Sequence, residues 1–224
     1  MTRDSSQHDP SRIVDRSENA SRDGALASSS SVAWSLRGLG FVALVGLGVL
    51  LRWSWADWPN FSPVAGLALT AGVLLRSRVL AIAVPLITML LSDLVLGGYD
   101  LPVMLTVYAC LMVPGLMGDR YAAWQLSTPT RPVWRSALLG GVAGVALGVV
   151  SATLFFVVTN AAYWLFMTRG AGSLWDAYLA AVPFYRASLT SDILVGASGV
   201  MLASGLRAAW LTASRSSAVA VVEN

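Results

Sequence analysis

Asp93 and Asp192 each follow a serine inside a long apolar run, and Arg186 stands in the same run as Asp192. Ionisable groups inside a bilayer cost about 2.5–3.5 kcal/mol each on insertion scales, so they normally face a partner or a water-filled cavity. Asn60, Asn160 and Trp164 flank these runs and bring amide and indole hydrogen-bonding groups. Together Asn60, Asp93, Asn160, Trp164, Arg186 and Asp192 form a candidate binding set for a small solute. One arginine does not neutralise two aspartates, so unless one aspartate is neutral the set favours a cationic solute or a coupling ion. A plainer assignment pairs Arg186 with Asp93 or Asp192 and uses the asparagines at helix ends or in hydrogen bonds across helices.

Catalysis is the less favoured chemistry. Ser92 and Ser191 are tempting as nucleophiles, but the chain has no lysine, and its one histidine, His8, lies in the polar N-terminal stretch. Serine without a neighbouring base is a weak nucleophile, so an intramembrane enzyme is the weakest of the alternatives and the chain is expected not to be an enzyme. Cys110 is the single cysteine, which leaves no disulfide framework, and no histidine cluster offers a metal site, so no cofactor is expected. A Gly-rich phosphate loop ending in Lys-Ser or Lys-Thr is missing, so any ATP energy would come from another chain. The 15 basic residues are all arginines scattered over loops and tail, which argues against a nucleic-acid partner.

The elements that hold these residues are read from composition. Apolar residues make up 56% of the chain and charged residues 12%, and residues 136–168 contain no charge, a longer stretch than the roughly 20 residues that cross hydrocarbon. Apolar runs bounded by Arg, Pro, Gly and Asp predict spans near 36–54, 62–75, 79–98, 101–118, 135–158 and 179–206. The fold class is therefore an all-α membrane protein of about six transmembrane helices. Residues 1–35, rich in Ser, Asp and Arg, read as a disordered cytoplasmic tail. The six-helix domain covers 36–210, and 211–224 form a short C-terminal tail. Twelve arginines fall on one side of this arrangement, two (Arg52 and Arg169) on the other, and Arg186 within a span. Cationic loops stay inside, so both termini are expected to be cytoplasmic, in a bacterial inner (plasma) membrane crossed several times. Aromatics gather on the external side, as an interfacial belt or as the lining of a pocket.

Two further patterns concern packing. Asn60, Pro85 and Ser92-Asp93 in the first half are echoed by Asn160, Pro183 and Ser191-Asp192 in the second. Three spans per half would place the halves in opposite orientations, as two three-helix inverted repeats. Gly140, Gly144 and Gly148 form a small-residue stripe suited to close helix contact, within the chain or with a second subunit.

These residues resemble a family of uncharacterised bacterial six-helix proteins described only as transport proteins. The likeness rests on Asn60-Phe61-Ser62-Pro63-Val64-Ala65, Pro85-Leu86, Leu91-Ser92-Asp93-Leu94, Phe155-Phe156, Thr159-Asn160, Trp164, Pro183-Phe184 and Asp192, and covers about residues 36–206. Ser191-Asp192 stands where that family commonly has Gly-Asp, and the long N-terminal tail is an addition. More distantly, six helices with cytoplasmic termini and an external site look like the substrate-binding S components of energy-coupling-factor transporters. Those commonly offer small residues at four-residue spacing to a partner subunit, a spacing that Gly40, Ala43, Gly46 and Gly48 lack. The resemblance implies a membrane transport protein that binds a small solute in an externally open pocket, alone or as the substrate-binding subunit of a larger transporter. Its expected partners are the lipid bilayer, the solute and other membrane transporter subunits. The alternative is a non-catalytic membrane scaffold.

Overall fold

The computed structural model describes residues 34–57, 63–128 and 131–222. The chain divides into residues 1–39 and 40–224, and of the first unit only 34–39, the opening of the first helix, are described. The expected tail falls almost wholly outside the described residues, and Asn60, Phe61 and Ser62 fall outside them too. The described residues form six α-helices and no strand: α1 (Trp34–Ser54), α2 (Val64–Leu75), α3 (Arg78–Leu96), α4 (Leu101–Ser127), α5 (Val133–Phe166) and α6 (Leu174–Val222).

Local chemistry sets the turns. Arg76 takes a left-handed conformation (φ 51°, ψ 42°) that ends α2, and the Ser77 hydroxyl accepts the Leu80 amide at 3.4 Å to start α3. Asp100 caps α4 in the same way through Val103, with Pro102 in the first turn. Helix starts lie within five residues of those read from hydropathy, but α4, α5 and α6 run well past the expected ends. Hydropathy registers only the apolar part of a helix. Beyond residues 118 and 158 the next strong breakers are Pro129 and Gly170, and residues 207–222 contain neither Pro nor Gly, so the helices continue through polar residues.

Five helices are long and apolar enough to cross a membrane. The exception is α2, whose 12 residues span only about 18 Å at 1.5 Å per residue, well short of a hydrocarbon core of about 30 Å. Eleven of its 12 residues are buried. It sits at the centre, against α3, α4, α5 and α6, and Leu67, Ala71 and Leu75 pack on Leu44 and Val45 of α1. The exterior is apolar: Leu94, Val142 and Leu202 of α3, α5 and α6 are all exposed. Such an inside-and-outside apolar pattern is what lipid, rather than water, accommodates.

The glycine stripe of α5 is used within the chain. A Cβ at Gly144 would sit 2.7 Å from the Ala197 Cα, and one at Gly148 would sit 2.8 Å from the Asp192 carbonyl oxygen. Backbone therefore meets backbone along the α5–α6 seam. In the two halves suggested by the repeat, the middle helices α2 and α5 differ greatly in length, 12 residues against 34.

Candidate functional site

A cavity of about 520 Å³ opens at one end of the bundle and takes wall residues from every helix: Arg52 (α1), Ala65 (α2), Met89 (α3), Val107 (α4), Asn160 (α5) and Asp192 (α6). Trp55, Phe155, Tyr99 and Tyr163 complete an aromatic lining, the two tyrosines lying half-exposed at its rim.

Asp192 is the chemically distinctive group. It is 3% exposed, and its carboxylate interacts with the backbone N–H of Gly66. Gly66 is the third residue of α2, so its N–H is one of the donors that a helix start leaves without an intrahelical partner. Pro63, at the cap position, supplies no side-chain cap, and the carboxylate of α6 faces this positive helix end from across the bundle. Glycines make the approach possible: a Cβ at Gly66 would lie 2.8 Å from the Val195 Cβ and 2.9 Å from the Gly196 nitrogen. The carboxylate oxygen Oδ1 is buried with no hydrogen-bond partner. A buried acceptor left unpaired costs about 1–3 kcal/mol, so this atom is primed for a donor arriving in the cavity.

Asp93 is in the opposite condition. Its Oδ1 accepts Arg52 Nη2 at 2.7 Å and its Oδ2 accepts the Tyr108 hydroxyl at 2.8 Å. Arg52 Nη1 also points at the Met89 sulfur, at 2.9 Å, and Arg52 Nε is buried without a partner. Burial first, and the Asp93 carboxylate second, push the Tyr99 hydroxyl up to about 12, so Tyr99 remains an O–H donor at any physiological pH.

Two of the residues expected from the sequence, Asn160 and Asp192, meet on the cavity wall. Asn160 Nδ2 donates to the Phe156 carbonyl at 2.7 Å, leaving the amide oxygen as an acceptor. Asp93 stands one step behind the wall, holding Arg52. Trp164 is directed elsewhere, its indole N–H on the Gly172 carbonyl at 3.3 Å. Arg186, expected in the solute-binding set, is exposed and outside the cavity lining, and the arginine that pairs with Asp93 is Arg52. Six residues place Arg186 about 120° around the helix from Asp192, whereas Ser188, four residues before Asp192, shares its face. Asn60 lies outside the described residues. In the sequence Arg52 reads as a loop charge, yet it stands within the first apolar run, the same signal that singles out Arg186. Tyr99 and Tyr163 carried no signal separating a pocket wall from an interfacial belt.

Ser92 and Ser191 turn their hydroxyls onto carbonyls of their own helices, Thr88 at 2.8 Å and Ser188 at 2.9 Å. Among the described residues no three His, Cys, Asp or Glu side chains cluster as metal ligands would.

An all-helical bundle with a membrane-like exterior and a polar cavity at one end is the class these observations define. The chain belongs to a family of unknown function (DUF6580), whose model matches residues 34–215. Neither a curated protein nor a solved structure matches it.

Proposed function

We propose that this chain is a membrane transport protein that captures a small solute in the cavity between its six helices, through a cationic or N–H donor group of the solute. The observation that carries this reading is the unpartnered Oδ1 of Asp192 on the wall of a cavity of about 520 Å³, a volume in the range of small-molecule sites. Arg52 and Asp93 cancel each other, so an ionised Asp192 leaves the site with one negative charge. The aromatic walls suit a cation as well, because ring faces attract positive charge. The serine hydroxyls being engaged within their helices fits a binder rather than a catalyst.

Arginine placement supports an external mouth. The cavity end carries Arg52 and Arg169, while Arg76, Arg78, Arg120, Arg131, Arg135 and Arg207 belong to the opposite end, which the positive-inside rule assigns to the cytoplasm. On this reading α2 is a partial span enclosed by the other five, and both termini are cytoplasmic in a bacterial inner membrane. Action as the substrate-binding subunit of a larger transporter is compatible with it.

The test is a thermal-shift screen of the purified chain against amines, amino acids, vitamins and nucleobases, because a ligand selective for the folded state raises the melting temperature. A cationic or N–H-donating solute should raise it for the natural chain and not for Asp192→Asn. A panel in which nothing shifts, or a solute that binds the variant equally well, would turn the assignment toward a scaffold.

A further inference from the structure

A second cavity, of about 680 Å³, lies at the other end of the bundle, between the last turns of α4, the first turn of α5 and the second half of α6. Its position follows from the helices: α4 contributes Val107 and Leu111 to the Asp192 cavity but Tyr121 and Gln125 to this one. At 1.5 Å per residue the nearest of these, Leu111 and Tyr121, are separated by about 15 Å along the helix.

The polar groups here are biased toward donors. Arg131 and Arg207 line the cavity, and no carboxylate does so among the described residues. Arg207 Nη1 donates to the Gln125 Oε1 at 3.0 Å and to the Ala122 carbonyl at 3.4 Å, while Gln125 Nε2 donates to the Ser204 Oγ at 2.9 Å. The amide that could have served as an acceptor is therefore taken up by the arginine, whose remaining N–H groups stay open. Tyr121 has a buried hydroxyl with no partner, and it interacts electrostatically with Arg207. Arg76 adds its positive field to that of Arg207, and α5 starts after Pro132, which supplies no side-chain cap to the positive end of the helix. Arg131 is held over the Trp124 ring at 5.7 Å. A cavity with open donors, two guanidinium groups and no acid is complementary to an anion.

The other half of the wall is apolar, with Leu126, Leu139 and Leu211. Around the same end the bundle surface exposes Trp134, Leu138 and Trp210, side chains that hydrocarbon and headgroups wet. An inorganic or metabolite phosphate would match the donors and leave the leucines unused, whereas an amphiphile matches both halves. We infer that this cavity binds the phosphate headgroup of an anionic membrane phospholipid, with Arg131, Arg207 and Tyr121 on the phosphate and Leu126, Leu139 and Leu211 against the start of its acyl chains. The inference uses residues separate from the solute cavity and stands or falls apart from it.

The full chain, purified and stripped of lipid in a neutral detergent, would be titrated with phosphatidylglycerol, phosphatidylcholine and glycerol 3-phosphate, with bound adducts counted by native mass spectrometry. Phosphatidylglycerol should bind in preference to phosphatidylcholine, and glycerol 3-phosphate should bind far more weakly. Arg131→Gln and Arg207→Gln should each weaken phosphatidylglycerol binding about fivefold, the loss expected for one basic side chain near an anionic headgroup. Arg186→Gln, at an exposed arginine outside the cavity, should leave it unchanged. Since Arg207 also braces Gln125, Tyr121→Phe gives a variant that removes only the unpartnered hydroxyl, and it too should weaken binding. Equal binding of the two lipids, or full binding by all three cavity variants, overturns the inference. Glycerol 3-phosphate binding as tightly as the lipid overturns it in favour of a soluble phosphate.

Discussion

Asp93 and Asp192 share a sequence context and a helical setting, yet their surroundings assign them different work. Both oxygens of Asp93 are satisfied, by Arg52 and Tyr108, so its contribution is to hold α1, α3 and α4 together. Removing one partner of this half-buried pair leaves the other without its hydrogen bond, a loss of about 1–3 kcal/mol. Asp93→Asn and Arg52→Gln should therefore each lower the melting temperature by roughly 2–12 °C for a chain of this size. The double variant should lose much less than the two losses added, which a double-mutant cycle by thermal unfolding would read. Asp192→Asn should behave otherwise. Asparagine keeps the shape of the group and has no charge to bury, so the solute-free melting temperature should stay level or rise while solute binding disappears. A drop as large as that of Asp93→Asn would mean that Asp192 is a structural cap and nothing more. The sequence singled out both aspartates, because charge within an apolar run is visible in one dimension. It did not show that Asp93 would be taken by Arg52, since the pair is 41 residues apart and depends on which faces α1 and α3 present to each other.

At the scale of elements, the stretch 192–196 of α6 is where three helices converge. Gly66 of α2 and Gly148 of α5 leave room for it on either side. Gly148→Val should push α5 from α6 against the backbone of Asp192, with a loss of monodisperse folded protein on size-exclusion chromatography. Gly66→Ala would place a Cβ 2.8 Å from the Val195 Cβ and 2.9 Å from the Gly196 nitrogen, so α2 must move off α6, which should both lower the melting temperature and weaken solute binding. Existence and approximate starts of all six helices were legible, because long apolar runs and the Arg, Pro, Gly and Asp residues that bound them are local signals. The ends of α4, α5 and α6 were not, because polar residues continue a helix as readily as apolar ones when no breaker intervenes. The central position of α2 was equally hidden. Its shortness was plain from the sequence, but enclosure by five neighbours is a property of the assembly.

The whole molecule is polarised, with a solute-sized cavity near Arg52 and Asp192 and an arginine-lined one near Arg131 and Arg207. The orientation that follows from the arginines is open to direct labelling. In a chain with Cys110 replaced by alanine, a cysteine at position 171, between α5 and α6, should react with a membrane-impermeant maleimide on intact cells. A cysteine at position 214, in the last part of α6, should react only after permeabilisation. The reverse pattern would put the Asp192 cavity on the cytoplasmic face and remove the case for uptake from outside.

The enclosure of α2 also bears on how such a chain is made. A 12-residue helix is a poor candidate for independent insertion by the translocation machinery, and the carboxylate that faces its first turn leaves the ribosome more than a hundred residues later. Until α6 arrives, α2 lacks one of the neighbours that bury it, and docking of α6 closes the centre of the bundle. A chain stopped after residue 170 should be extracted and degraded by membrane quality control, even though four of its helices are long enough to insert unaided.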